Sequence, residues 1–214
     1  MENPRLTFAT PTIIAGDRSL VSLIAHELAH SWSGNLVTNA TWNDFWLNEG
    51  FTVYFERRIM EALYGKDYTD MLALLGFQDL TSELSRLDED MQKLKLKLNG
   101  LHPDDAMSDI AYEKGYFFLR MLEEKKGRVK MDSFLKNYFD DHKFQTITTE
   151  EFLAYLDQNL LQGEEDGLMI NQWVYQSGLP ENCPKVLSNR FVQAEKAVDV
   201  FLKKGVENIV DASA

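Results

Sequence analysis

The chain has 214 residues, with 22 basic and 34 acidic side chains and a formal net charge of −12 at neutral pH. This acidity argues against nucleic-acid binding, because no basic patch is present to neutralise phosphates. The single cysteine, Cys183, excludes an internal disulfide. No apolar run reaches the length of about 18 residues that a transmembrane helix needs, and the first residues lack the pattern of a signal peptide. We therefore expect one globular, cytoplasmic domain without a membrane span.

The elements predicted in chain order are mostly helical. Residues 6–15 are rich in Thr, Ile and Phe and are interrupted by Pro11, which predicts one or two short strands. From residue 18 the apolar spacing is helical, and the pair Thr148 and Glu151 has the pattern of a capping box. Helices are predicted over residues 18–32, 47–64, 67–77, 79–98, 112–126, 131–142, 148–160, 168–177 and 185–204, with loops over 35–43 and 99–111.

The first predicted helix contains the sequence His26-Glu27-Leu28-Ala29-His30. Residues four positions apart lie on one helix face about one turn apart, so both imidazoles can reach the same metal ion. Glu27 lies between them, offset around the helix, where its carboxylate can hydrogen-bond a metal-bound water. The helix is apolar around the motif, and unpaired polar groups there would be costly. This pattern predicts a metal site, the alternative being three polar residues on a solvated face.

A catalytic zinc ion needs a third protein ligand. A metzincin would place a glycine three positions and a histidine six positions after His30, where this chain has Ser33 and Leu36. A gluzincin takes a glutamate from the next helix, and Glu49 stands 19 positions beyond His30. Alone, Glu49 would be interpreted as a favourable charge at a helix N-terminus. Together with the histidine motif it is the predicted third ligand of one zinc ion.

The motif, its spacing and the sequence Asn48-Glu49-Gly50-Phe51 resemble the gluzincin aminopeptidases, the family of aminopeptidase N, aminopeptidase B and leukotriene hydrolase. Three further segments resemble the end of that family's Gly-x-Met-Glu-Asn exopeptidase motif, its catalytic tyrosine segment and the close of its catalytic domain: residues 1–4, 111–115 and 173–180. Six residues are most similar to the leukotriene hydrolase and aminopeptidase B branch: Trp32, Gly34, Asn35, Thr41, Trp42 and Trp46.

The resemblance implies a mainly α, thermolysin-like zinc-peptidase catalytic domain over residues 1–180, with a short residual β-hairpin at the N-terminus. Residues 181–214 would form a helix and a linker toward a helical domain. Family members are much longer, so we expect flanking domains of the same polypeptide to be missing from this chain. The implied activity is a zinc-dependent aminopeptidase that hydrolyses the first peptide bond of short peptides with a free N-terminal amine.

Site roles follow from this resemblance. Glu27 would take a proton from the water as general base, and Tyr112 would stabilise the oxyanion; by itself, Tyr112 would be interpreted as an ordinary buried tyrosine. Glu2, helped by Glu49, would bind the substrate's ammonium group. Glu56 lies seven positions after Glu49 on the same helix face, where it would contact a zinc histidine or form an exposed salt bridge.

Two features concern the leukotriene hydrolase branch. Asp104 lies eight positions before Tyr112, where that branch has an aspartate, and is a candidate substrate-binding residue; an exposed loop residue is the alternative. Met107 replaces a second tyrosine of that branch, which weakens the expectation of lipid-epoxide chemistry. Two alternatives to the aminopeptidase stay open, an epoxide hydrolase that uses the same zinc and tyrosine and a zinc-binding but inactive catalytic fragment.

Overall fold

The computed structural model describes residues 3–163 and 167–204, and within them the protein is mainly α, as predicted. The α-helices are α1 Val21–Ala29, α2 Trp46–Tyr64, α3 Lys66–Leu84, α4 Gly115–Lys126, α5 Arg128–Asp141, α6 Thr149–Leu156, α7 Ile170–Tyr175 and α8 Asn189–Lys204. Two short strands, β1 Val37–Asn39 and β2 Gln145–Ile147, pair in parallel. No helix in the described ranges is both long and apolar enough to cross a bilayer.

The predicted N-terminal β-hairpin is wrong for residues 6–15, all of which the structure describes. This segment contains a 3-10 turn, Pro11–Ile13, and no strand. Proline at the first position fixes φ near the helical value and removes a ladder donor, which favours a turn here. Leu6 and Ile14 are 63% and 83% exposed, so this segment adds nothing to the hydrophobic core. The strand β1 instead lies in the stretch predicted as the loop 35–43.

The helices predicted over residues 67–77 and 79–98 are also corrected. The first and part of the second form one helix, α3, and residues beyond Leu84 leave the helical path. Leu94, Leu96 and Leu98 are buried while the lysines between them are more exposed, an alternation with the period of an extended chain. The amide of Lys95 donates to the carbonyl of Val174, so this segment is hydrogen-bonded to α7.

Helix α2 lies at the centre of the protein and packs against α1, α3 and α4. Its first residue, Trp46, is fully buried and meets the rings of Phe118 and Phe152 edge-to-face at 5.7 and 5.5 Å. The indole Nε1 donates to Thr149 Oγ1 at 3.0 Å, which satisfies the polar end of the ring. Helix α6 starts there with the predicted capping box of Thr148 and Glu151. The N-terminal turn of α2, which carries Glu49, is therefore rigidly held.

Candidate metal centre

Helices α1 and α2 bring His26, His30 and Glu49 together. The Nε2 atoms of the two histidines are 3.2 Å apart, and Glu49 Oε2 lies 3.3 Å from His26 Nε2 and 3.6 Å from His30 Nε2. Ligand atoms about 2.0–2.1 Å from a tetrahedral zinc ion stand roughly 3.3–3.5 Å from one another. The three separations therefore match the edges of a zinc coordination tetrahedron.

The burial of these groups fits a cation. The Oε2 atom of Glu49 is buried without a hydrogen-bond donor, and the residue is only 5% exposed. An uncompensated buried carboxylate oxygen carries a large desolvation cost unless a cation binds it. Among the described residues, these three form the one group of His, Cys, Asp or Glu side chains with the geometry to hold a metal. One carboxylate and two imidazoles form a donor set that zinc accepts.

His30 is oriented by the chain that follows the motif. Its Nδ1 lies 3.0 Å from the carbonyl oxygen of Ser33, and Thr52 Oγ1 lies 3.1 Å from the same nitrogen. Donation from Nδ1 to the carbonyl places the proton on that nitrogen and leaves the Nε2 lone pair free for a metal. Gly34, at φ +109°, allows the turn, and a Cβ there would lie 2.7 Å from Asn48 Oδ1. No sequence signal pointed to Thr52.

Glu56 contacts His26 in the structure, and its predicted role beside a zinc-binding histidine stays a prediction. The Glu56 carboxylate lies 3.1 Å from His26 Nδ1, on the side of the ring opposite Glu49. Burial lowers the pKa of His26, but the two carboxylates outweigh it and raise this pKa to about 9. The negative charge of the two carboxylates, which favours a proton on His26, also favours a metal cation at this position.

Tyr112 lies beside this cluster. It belongs to a π-helical turn, Ile110–Lys114, immediately before α4. Its ring is nearly parallel to that of His26, with centroids 6.3 Å apart, and Phe45 meets it edge-to-face at 6.1 Å. Single π-helical turns are rare and are found frequently at functional sites. Glu27 lies next to His26 on α1 with a partly buried side chain.

Of the two predicted substrate-binding residues, only Asp104 lies in the part of the chain that the structure describes. Glu2 lies outside the described residues. Asp104 lies on an exposed 3-10 turn, Pro103–Ala106, with a side chain 77% exposed and 3.5 Å from His102 Nδ1. The exposed-loop alternative therefore describes the position of Asp104, and its role in substrate binding stays a prediction.

Comparisons with known proteins agree with this geometry. The Peptidase family M1 domain matches residues 1–173 of the chain. The chain belongs to peptidase family M1. Leucine aminopeptidase 2 of Sclerotinia sclerotiorum is 46% identical to this M1 chain over 187 residues, which cover 84% of the chain and 31% of that relative. A leukotriene A-4 hydrolase homolog of Botryotinia fuckeliana is 45% identical, with 84% and 29% covered. The chain thus spans about a third of the length of the curated relatives it matches.

Solved M1 structures have the same fold. Yeast LTA4 hydrolase in complex with bestatin superposes with a TM-score of 0.86 at 40% identity, covering 94% of this chain and 34% of the yeast chain. An M1 zinc metallopeptidase mutant from Deinococcus radiodurans, bound to a Tyr-Ser-Ala substrate, has a TM-score of 0.67 at 27% identity, with 87% and 39% covered. The predicted similarity to the leukotriene hydrolase branch is confirmed.

Proposed function

We propose that this M1 chain is the catalytic part of a zinc aminopeptidase, which binds one zinc ion through His26, His30 and Glu49. The observation that carries the proposal is the match between the three ligand separations, 3.2, 3.3 and 3.6 Å, and the edges of a zinc tetrahedron. The names of the relatives, leucine aminopeptidase 2 and M1 zinc metallopeptidase, support the same metal and reaction.

When bound, zinc supplies Lewis-acid polarisation of the scissile carbonyl and acidifies a water molecule. Glu27 would accept a proton from the attacking water on its carboxylate and would later transfer it to the nitrogen of the leaving amine. Tyr112 would donate a hydrogen bond from its hydroxyl group to the carbonyl oxygen as negative charge develops on that oxygen. Water and a peptide are thereby converted into a free amino acid and a peptide shorter by one residue.

The proposed substrate is a short peptide with a free N-terminal amine. Its ammonium group needs a carboxylate near the metal, and Glu2 and Glu49 are the residues proposed for this contact. The complex of a related M1 zinc metallopeptidase with a Tyr-Ser-Ala substrate supports a short peptide as the substrate. Selection for the ammonium group would restrict cleavage to the first peptide bond.

The test is a comparison of Glu27→Gln with the unaltered chain after reconstitution with zinc. We expect both to hold one zinc, and Glu27→Gln to hydrolyse leucyl-4-nitroanilide more slowly by roughly 10²–10⁴-fold, the usual contribution of a positioned general base. Glu195→Gln, the same change on an exposed position of α8, should retain full turnover. Retained activity in Glu27→Gln would refute the role of Glu27. Zinc binding without turnover in the unaltered chain would support the inactive fragment.

A second candidate is an epoxide hydrolase that uses the same zinc and Tyr112. The observation that favours it is the 45% identity to a leukotriene A-4 hydrolase homolog. Met107, which takes the place of a tyrosine of that branch, lies on the surface at 50% exposure and has no group that could replace the hydroxyl. Incubation with a lipid epoxide, with diol formation as the readout, separates this candidate from the peptidase.

A further inference from the structure

The two residues that follow Tyr112 are both ionisable and both removed from solvent. Lys114 is 0% exposed, and the Glu113 side chain is 13% exposed. They belong to the π-helical turn that carries Tyr112, and the proposed chemistry does not use either of them. Because buried charges are costly, their positions in this turn need a physical reason.

Glu113 ties the turn to α2. Its two carboxylate oxygens accept from Nη1 and Nη2 of Arg57 at 2.8 and 2.6 Å, a bidentate pair in which the Arg57 side chain is 7% exposed. Arg57 directly follows Glu56, whose carboxylate contacts the ring of His26. Gly76 of α3 leaves the room for the Glu113 carboxylate, since a Cβ there would lie 2.3 Å from Glu113 Oε2.

Lys114 ties the same turn to two other segments. Its Nζ donates to the carbonyl oxygens of Gln92 and Gln176 at 2.7 and 2.8 Å. The side chain of Gln92 in turn accepts from the amide of Gly178 at 3.0 Å, which joins the two segments to each other. Burial lowers the pKa of Lys114 to about 7. An amine donates two hydrogens whether or not it is charged, so both bonds persist on either side of that pKa.

We propose that Glu113 and Lys114 are positioning residues that orient the Tyr112 side chain at the metal centre by anchoring its turn from two sides. Buried ion pairs contribute little net stability compared with apolar residues of similar volume, and in some proteins their role is instead to specify geometry. This inference rests on the proposed function for its kinetic test and on geometry alone for its spectroscopic test.

The kinetic test uses Glu113→Gln and Lys114→Met with a matched control. Glu123→Gln is the control, because Glu123 is 15% exposed and pairs with Arg58, the neighbour of Arg57, but lies farther along α4. We expect both test variants to retain zinc and to lose roughly tenfold to a hundredfold in kcat, since a misplacement of about 1 Å can cost that much. KM should change little, and Glu123→Gln should retain its kcat. Unchanged kcat in both test variants would overturn the proposal.

A double-mutant cycle separates positioning from general damage to the fold. If Glu113 and Lys114 act through Tyr112, their substitutions should lower kcat no further in a Tyr112→Phe background. Losses of the same factor in both backgrounds would overturn the proposal, because the two residues would then act elsewhere.

The spectroscopic test does not depend on activity. The chain is labelled with 3-fluorotyrosine, and the ¹⁹F resonance that disappears in Tyr112→Phe is assigned to Tyr112. This resonance should shift or broaden in Glu113→Gln and Lys114→Met and stay in place in Glu123→Gln. An unmoved resonance in both test variants would overturn the proposal. A moved resonance in a chain without any turnover would support it while contradicting the proposed function.

Discussion

Gly50→Ala is expected to push α2, which carries Glu49, away from the Tyr112 turn and the start of α4. Gly50 directly follows Glu49 in α2, and Gly115 opens α4 just after the Tyr112 turn. A Cβ on Gly50 would lie 2.8 Å from the Cα of Gly115 and 3.1 Å from the carbonyl oxygen of Ala111. Ordinary van der Waals contact begins at 3.4 Å, so full relief of the overlap requires the two backbones to move apart by 3.4 − 2.8 = 0.6 Å. Both partners are backbone atoms, so no side-chain rotation can relieve the clash.

The magnitude follows from two opposing contributions. Overpacking of a filled core costs about 1–3 kcal/mol, and a backbone contact belongs at the upper end of that range. Replacing glycine by alanine within a helix returns about 1 kcal/mol of helix propensity. The net destabilisation is therefore about 2 kcal/mol. For a chain of this size it corresponds to a loss of roughly 4–8 °C in Tm.

Thermal unfolding followed by circular dichroism measures this change. Ala62→Gly, at an exposed position of the same helix, isolates the propensity contribution, because Ala62 has no comparable contact to lose. It should lower the free energy of unfolding by about 1 kcal/mol. A rise in Tm for Gly50→Ala, equal to the fall for Ala62→Gly, would refute the close approach of α2 and α4. Turnover should fall together with Tm, since the displacement moves Glu49 relative to Tyr112.

Two further predictions concern the groups around the site. Glu56→Gln should weaken zinc binding by about 10–100-fold, because the Glu56 carboxylate orients His26. The control Glu61→Gln, on the same helix, should leave zinc binding unchanged. Competition with a chromophoric chelator measures both affinities, and equal affinities in the two variants would contradict the role of Glu56. Burial lowers the pKa of Lys114 from 10.5 to about 7. Between these two pH values the unfolded chain therefore binds more protons than the folded chain. The free energy of unfolding should rise from pH 7 toward pH 10.5 as a result. Urea unfolding at pH 7 and pH 9 should show a smaller rise in Lys114→Met, and an equal rise would contradict the burial of a titrating amine.

The part of the site that sequence predicts well is local. His26 and His30 share a face because helix geometry alone places residues four apart together, and the resemblance to a known spacing supplied Glu49. The Arg57–Glu113 pair had no such signal, because a charge at a helical position has the same appearance in sequence whether it is buried or solvated. Its partners are 56 positions apart and meet only through the packing of α2 against the Tyr112 turn.

The errors in the fold have two physical origins. Strand β1 pairs with β2 between Val37 and Gln145, far apart in the chain, and three-residue strands leave almost no periodic pattern to detect. The alternation of Leu94, Leu96 and Leu98 with lysines was readable as an extended segment, but the leucines before it continue a helical stripe and favoured a helix. The spacing of the leucines changes from helical to alternating within one apolar run, and tertiary contacts decide at which residue the helix ends.

Zinc stoichiometry is the measurement that tests the central claim most directly. The chain is stripped with a chelator, reconstituted with zinc, desalted and assayed for metal alongside Glu49→Gln and the control Glu195→Gln. The account predicts one zinc per chain for the unaltered protein and the control. It predicts a large loss in Glu49→Gln, whose carboxylate is one of the three convergent groups that could hold the ion. No bound zinc in the unaltered chain, or equal zinc in all three proteins, would contradict a metal centre at His26, His30 and Glu49.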